Sequence, residues 1–122
     1  YSPVGGGFLT GKYGPGRRPD QGRLVENERY ATRYGLPSYL EVADAFVAYA
    51  RRNDVHPVTL AVAWVAGHPA VTAPIIGARN VEQLSPALDA ASFEMTPEMR
   101  AEIAGLGPEV PPAHDRREER TG

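Results

Sequence analysis

Residues 57–83 decide the fold of this chain, and they read PVTLAVAWVAGHPAVTAPIIGARNVEQ. Pro57 suits a first helical turn, where its missing N–H costs nothing, and Gly67 is a natural stop, so a helix is predicted between them. This helix is apolar almost all round, which indicates burial on most sides. Residues 71–76 form an apolar run without alternation, which is typical of a strand buried on both faces of a parallel sheet. A helix followed by such a strand indicates an α/β fold.

Another helix is predicted directly after this strand. Asn80 suits the N-cap position and Gln83 follows three residues later, which is a variant of the capping box. Pro86 falls inside the helix, which is therefore expected to kink there or to restart with the preceding serine as a new cap. Residues 96–98, TPE, begin a last helix that is expected to end near residues 105–107.

Upstream of residue 57 the pattern predicts a helix, a long loop and the end of a strand. Residues 39–52 form the helix, with their apolar positions on one face. These positions are Leu40, Ala43, Phe46, Val47 and Ala50. Residues 14–38 are rich in Gly, Pro and Arg and form the loop, with a short helical turn within residues 26–34. Residues 1–13 are interpreted as a strand end followed by a turn.

Composition narrows the function classes. The chain has 122 residues, the size of one domain, and 13 basic against 15 acidic side chains, which argues against electrostatic binding of nucleic acid. It has no cysteine, which excludes disulfides and thiolate metal sites. Its longest apolar run is too short to span a bilayer, and no signal peptide precedes the first loop, so a soluble, cytoplasmic protein is expected.

Several aromatic and histidine side chains receive structural interpretations. His56 and His68 flank helix ends beside prolines, which favours capping or surface roles over catalysis. Trp64 lies in an apolar helix and is interpreted as a core residue. Tyr39 and Tyr49 are interpreted as helix residues whose hydroxyl edge faces water.

Two stretches could bind a ligand. Residues 2–7, SPVGGG, could bring backbone N–H groups close to phosphate oxygens, although three glycines are also typical of a plain turn. Residues 76–83, IGARNVEQ, combine a predicted strand end, a helix N-terminus and Arg79. The planar guanidinium of Arg79 suits phosphate, while a solvated surface charge is the alternative.

Together, the stretches YSPVGGGFLTGKY and TLAVAWVAGHPAVTAPIIGARNVEQL closely resemble the C-terminal third of the aldo/keto reductases. The bacterial branch that also resembles potassium-channel β subunits is the most similar. The resemblance implies the C-terminal part of a (β/α)8 TIM barrel, from about strand 7 to the final helices and mostly helical here. It covers residues 1–106 as part of one barrel domain and leaves residues 107–122 as a flexible tail. The earlier strands are expected upstream, which would make the chain a fragment, since a full barrel has about 250 residues.

The resemblance also implies NADPH as cofactor and assigns roles to residues by motif. Tyr1 would stack on the nicotinamide, Lys12 would lie near the phosphates, and Arg23 would be a loop arginine that closes over the cofactor. The residues that would line the pyrophosphate, largely through backbone groups, are Ser2, Pro3, Val4, Gly5 and Gly6. The residues that would meet the adenosine 2′-phosphate are Gly77 and Arg79, and Gln83 would meet the adenosine end.

The chain departs from the family pattern at Pro86 and Ala87, where an acidic residue and an asparagine usually hold the adenine. Adenine recognition is therefore expected to be weaker or to use other groups. The catalytic Tyr, Lys, Asp and His of the family belong to earlier strands, so no catalytic residue is assigned here.

Three functional hypotheses follow. The first is the cofactor-binding portion of a reductase that transfers hydride from NADPH to an aldehyde or ketone, with this portion inactive alone. The second is a non-catalytic truncated product that binds nucleotide weakly or packs against a partner chain. The third is a small independent α/β binding module.

Overall fold

The computed structural model describes residues 2–108, and this part of the chain is mostly helical. Tyr1 and residues 109–122 lie outside the described residues, so the roles predicted for Tyr1 and for most of the tail are not addressed by it. The helices are α1 (Arg23–Glu26), α2 (Glu28–Tyr34), α3 (Pro37–Arg52), α4 (Pro57–Ala66), α5 (Val81–Leu88) and α6 (Pro97–Ala104). Two 3-10 segments accompany them, Gly5–Thr10 and Asp89–Ala91.

The helices predicted from periodicity and capping are confirmed. Helix α3 buries the four predicted positions from Ala43 to Ala50, and α4 begins at Pro57 and ends before Gly67. Helix α5 has Asn80 as its N-cap, whose side chain accepts a hydrogen bond from the Gln83 N–H. It runs through Pro86 as one helix, so of the two predicted outcomes, a kink or a restart, the restart does not occur. These helices could be predicted from the sequence because helix hydrogen bonds and caps join residues that are close in the sequence.

The two predicted strands do not form in residues 2–108, where the only β-type pairing is an isolated bridge between Gly14 and Arg17. Residues 71–76 lack regular secondary structure, and Ile75 is 71% exposed instead of buried on both faces. The beginning of the chain forms a turn and a 3-10 segment. A strand exists only when a neighbouring backbone supplies hydrogen-bond partners, and the described residues supply none here. The described residues therefore contain no sheet, and the α/β architecture predicted from the sequence is not seen within them.

Three apolar clusters hold the helices together, and two of them include residues of α4. The first joins α3, α4 and α6, with Phe46, Val47, Leu60 and Ile103 among its buried members. A second cluster packs Phe8 of the first 3-10 segment against α1 and α3. The third joins α4 to α5 and the 3-10 segment after it. These contacts fix the glycine-rich start of the chain and the start of α5 on neighbouring sides of α4.

Tyr49 differs from its sequence interpretation, because it is buried and not turned to water. Only 5% of the residue is exposed, and its hydroxyl donates a 2.7 Å hydrogen bond to Oε2 of Glu102 on α6. That bond and burial raise the pKa of the Tyr49 phenol above 10.0. Trp64, interpreted as a core residue, is only partly buried at the edge of the first cluster, and its Nε1 donates to the Arg100 carbonyl at 3.2 Å. His56 caps α4 by accepting from the Val58 N–H, as predicted.

The raised pKa of Tyr49 predicts a stability change at alkaline pH. Because the folded state holds the phenol proton more tightly, this contribution is complete below pH 10 and is lost as pH rises through the raised pKa. A Tyr49→Phe variant should lose about 1 kcal/mol of unfolding free energy at pH 7 and should show a smaller further loss above pH 10. Urea unfolding at several pH values measures this, with Tyr39→Phe on the same helix as control. Parallel pH curves for wild type and Tyr49→Phe would contradict the assignment.

Candidate functional site

A cleft of about 790 Å³ lies between the glycine-rich start of the chain and the segment that leads into α5. Nine of the eleven predicted cofactor residues line it: Ser2, Pro3, Val4, Gly6, Lys12, Arg23, Gly77, Arg79 and Gln83. Gly5 is buried next to this lining, and Tyr1 lies outside the described residues. The two stretches singled out in the sequence therefore face one common space, and the volume is within the usual range for small-molecule sites.

The glycine run forms a left-handed turn. The φ angles of Gly5, Gly6 and Gly7 are 58°, 67° and 97°, a region that side chains disfavour. The Gly5 N–H donates to the Ser2 carbonyl at 2.8 Å, and the Gly7 N–H donates to the Val4 carbonyl at 3.0 Å. Two of the backbone donors expected for a phosphate are thus already used inside the turn. Positive charge at this end of the cleft must come from side chains.

Tyr30 of α2 explains why Gly6 lacks a side chain. A Cβ atom on Gly6 would lie 2.6 Å from Cδ1 and Cε1 of the Tyr30 ring, which is closer than real contacts allow. Tyr30 also positions Arg23, whose Nη1 donates to the tyrosine oxygen at 3.3 Å and whose guanidinium carbon is 5.6 Å from the ring centre. Sequence reasoning missed Tyr30, because only the folded chain brings α2 against the turn.

Lys12 lines the other side of this end of the cleft, next to the buried Tyr13. The Lys12 side chain is near Gly7, and its Nζ is 5.2 Å from the centre of the Tyr13 ring. Tyr13 is 3% exposed, and its hydroxyl makes no hydrogen bond to any described residue. Gly22, which also lines the cleft, packs its bare Cα against this hydroxyl. The Tyr13 hydroxyl thus lies behind Gly22 and outside the cleft lining, and Lys12 supplies the positive charge that suits an anionic group at this end.

The opposite wall is built at the start of α5. The Gln83 N–H donates to Oδ1 of Asn80 at 2.9 Å, and the Arg79 N–H donates to Oε1 of Gln83 at 3.1 Å. The Gln83 side chain therefore holds the Arg79 backbone in place, and Gln83 also lines the cleft. The Arg79 side chain is 70% exposed, and its Nη2 is 3.7 Å from Oε2 of Glu26 on α1.

Charge and shape together favour a ligand with phosphate and apolar parts. The charged side chains in the lining are Lys12, Arg23 and Arg79 against Glu82. The apolar part of the lining includes Val58, Val62, Ile76, Pro86 and Ala87. Three cationic side chains in a cleft with an apolar wall suit a ligand that carries both anionic and apolar groups. Pro86 and Ala87, the departures from the family pattern, add only apolar surface to the lining.

Within residues 2–108 no group of three or more His, Asp or Glu side chains could hold a metal ion. No helix in this part of the chain combines the length and the apolar character needed to cross a membrane.

Comparison with known proteins identifies the family. The profile described as "Aldo/keto reductase family" matches residues 1–107. This chain belongs to the aldo/keto reductase family. The family implies a TIM barrel and typically uses nicotinamide cofactors, and the predicted resemblance is confirmed.

Three relatives show how the similarity is distributed. The protein tas of Escherichia coli is 34% identical over 106 residues, covering 87% of this chain and 30% of tas. An uncharacterized oxidoreductase of Mycobacterium tuberculosis is 36% identical over 100 residues, covering 82% of this chain and 30% of the relative. A probable voltage-gated potassium channel subunit beta of rice is 32% identical over 111 residues, covering 87% and 34%. The chain thus spans about a third of the length of these relatives.

Proposed function

We propose that this chain supplies the cofactor-binding portion of an NADPH-dependent oxidoreductase that transfers hydride between NADPH and an aldehyde or ketone. Membership of the aldo/keto reductase family and the relatives named as oxidoreductases support the oxidoreductase role. The observation that carries the cofactor assignment is the convergence of nine motif residues on one cleft. Residues 1–106 form this portion in the proposal, and a cytoplasmic location belongs to it as a prediction.

The residues of the cleft would divide the cofactor between them. The nicotinamide ring, when bound, supplies the hydride. Lys12 and Arg23 neutralise the pyrophosphate, with Tyr30 holding Arg23 in place. Arg79 offers its planar fork to the 2′-phosphate, and Gln83 keeps the Arg79 backbone at the helix start. The apolar side chains around Pro86 cover the adenine without reading its edge.

Arg79 provides the test of this assignment. An Arg79→Ala variant of the full-length gene product should bind NADPH roughly 10- to 100-fold more weakly and NADH almost unchanged, since a charge-assisted hydrogen bond contributes about 1.5–3 kcal/mol. Fluorescence titration with each nucleotide measures both dissociation constants. Arg51→Ala is the control, because Arg51 is exposed at the end of α3 and does not line the cleft.

Two results would overturn the proposal in different ways. Equal losses for both nucleotides in Arg79→Ala would mean that Arg79 does not contact the 2′-phosphate. Absence of binding of either nucleotide to the wild-type protein would remove the cofactor role altogether and favour a non-catalytic product that packs against a partner.

A further inference from the structure

We infer that Glu26 sets the cofactor selectivity of this site, because its carboxylate competes with the 2′-phosphate for the guanidinium group of Arg79. The inference rests on the proposed function and deepens it. Glu26 was not among the predicted cofactor residues, and its role depends on a contact between the end of α1 and the residue before the N-cap of α5, which are far apart in the sequence. The expected consequence is a weaker preference for NADPH over NADH than Arg79 alone would give.

The ion pair links Arg79, which lines the cleft, to Glu26 of α1, which lies next to the lining and is not part of it. Glu26 is the last residue of α1, and Arg79 directly precedes the N-cap of α5. Their side-chain atoms Oε2 and Nη2 are 3.7 Å apart, and the side chains are 48% and 70% exposed. An exposed pair at this separation is weak and exchanges readily. A phosphate dianion can therefore displace the carboxylate, but it must do so before Arg79 can bind it in a bidentate manner.

The backbone at Glu26 is anchored, so the carboxylate stays within side-chain reach of Arg79 after displacement. The Glu26 N–H donates to the Gly22 carbonyl at 2.9 Å, and the following Asn27 N–H donates to the Arg23 carbonyl at 3.0 Å. Leu24 of the same helix is buried in the second apolar cluster. On the other side, the Arg79 backbone is held by Gln83. Both ends of the pair are thus fixed at the backbone and mobile only in their side chains.

The two nucleotides differ in what they present to this pair. A 2′-phosphate brings two negative charges next to the Glu26 carboxylate, and the cleft lining already contains Glu82 on the same side as Arg79. A 2′-hydroxyl brings no charge, and a carboxylate can accept its hydrogen bond. The Glu26 carboxylate therefore opposes NADPH and does not oppose NADH.

The experiment is a Glu26→Gln substitution in the full-length gene product, with dissociation constants for NADPH and NADH from fluorescence titration at low ionic strength. We expect NADPH to bind roughly three- to tenfold more tightly and NADH to change less than about twofold. Glu28→Gln is the matched control, since it removes the same charge two residues away, on the exposed first turn of α2. Glu26→Ala repeats the test with a side chain that lacks the amide group introduced by glutamine.

The Arg79→Ala background separates competition from simple repulsion. If Glu26 acts by occupying Arg79, then Glu26→Gln should lose more than half of its gain in that background. The gain should also shrink when salt is raised to about 0.5 M, because both side chains are exposed. An unchanged ratio of NADPH to NADH affinity in Glu26→Gln would overturn the inference, and so would an equal gain in NADPH affinity in the Arg79→Ala background. In either case, NADPH binding by the wild-type protein would leave the proposed function intact. Failure of the wild-type protein to bind NADPH would overturn both.

Discussion

Replacement of Leu60 by alanine is expected to lower the free energy of unfolding by about 2–5 kcal/mol. Leu60 lies in the middle of α4, is 0% exposed, and belongs to the cluster that joins α3, α4 and α6. Truncation removes the apolar contacts of its side chain and leaves a cavity that rigid neighbours cannot fill. Urea unfolding of the full-length gene product, followed by circular dichroism, measures the loss.

Leu88→Ala is the matched control, because it deletes the same atoms from a residue that is 56% exposed at the end of α5. A surface truncation of this kind should change the unfolding free energy by about 0.5 kcal/mol or less. Equal losses of unfolding free energy at both positions would mean that burial in this structure does not predict the cost of truncation. A large loss at Leu60 alone would support α4 as the centre of the core.

The sequence predicts the helices well because their determinants are local. The buried stripe of α3 follows from residue spacing, and α4 follows from Pro57 and Gly67. The caps of α5 and α6 are formed by Asn80 and Thr96, whose side chains accept from N–H groups three residues later. Each of these interactions joins residues within one turn, so a pattern in the sequence is sufficient to find it.

The strand prediction fails for the opposite reason. Residues 71–76 have a strand-like composition, but a strand needs hydrogen-bond partners on another segment. The described part of this chain provides none, and Ile75 is exposed as a result. The composition of a segment indicates what it can form, whereas the partner decides whether it does.

The candidate site could be predicted from the sequence only in part. Motif residues were found one by one in the sequence, and the structure brings nine of them to one cleft. The contacts that tune them were not found, because they join separate segments. Tyr30 packs on Gly6 from α2, and Glu26 reaches Arg79 from α1. Neither contact has a spacing or composition signal in the sequence.

Replacement of Gly6 by alanine is expected to have the largest effect on the cleft. The new Cβ would lie 2.6 Å from two carbons of the Tyr30 ring, in a backbone conformation with φ of 67°. The left-handed conformation costs an alanine about 1–2 kcal/mol, and displacement of a packed ring adds about 1–3 kcal/mol. Displacement of Tyr30 also releases Arg23, so NADPH binding should weaken by at least tenfold, the loss expected when one charge-assisted hydrogen bond is disturbed.

Two further variants separate the causes of this loss. Gly16→Ala has the same backbone cost, since the φ of Gly16 is 69°, but nothing lies within 4 Å of its added Cβ. It should therefore destabilise less than Gly6→Ala and leave nucleotide affinity unchanged. A Gly6→Ala, Tyr30→Ala double variant removes the clash but not the loss of Arg23 support, so its nucleotide affinity should stay as low as that of Gly6→Ala. If Gly16→Ala costs as much as Gly6→Ala, backbone conformation alone explains the glycine, and Tyr30 does not hold the cleft in shape.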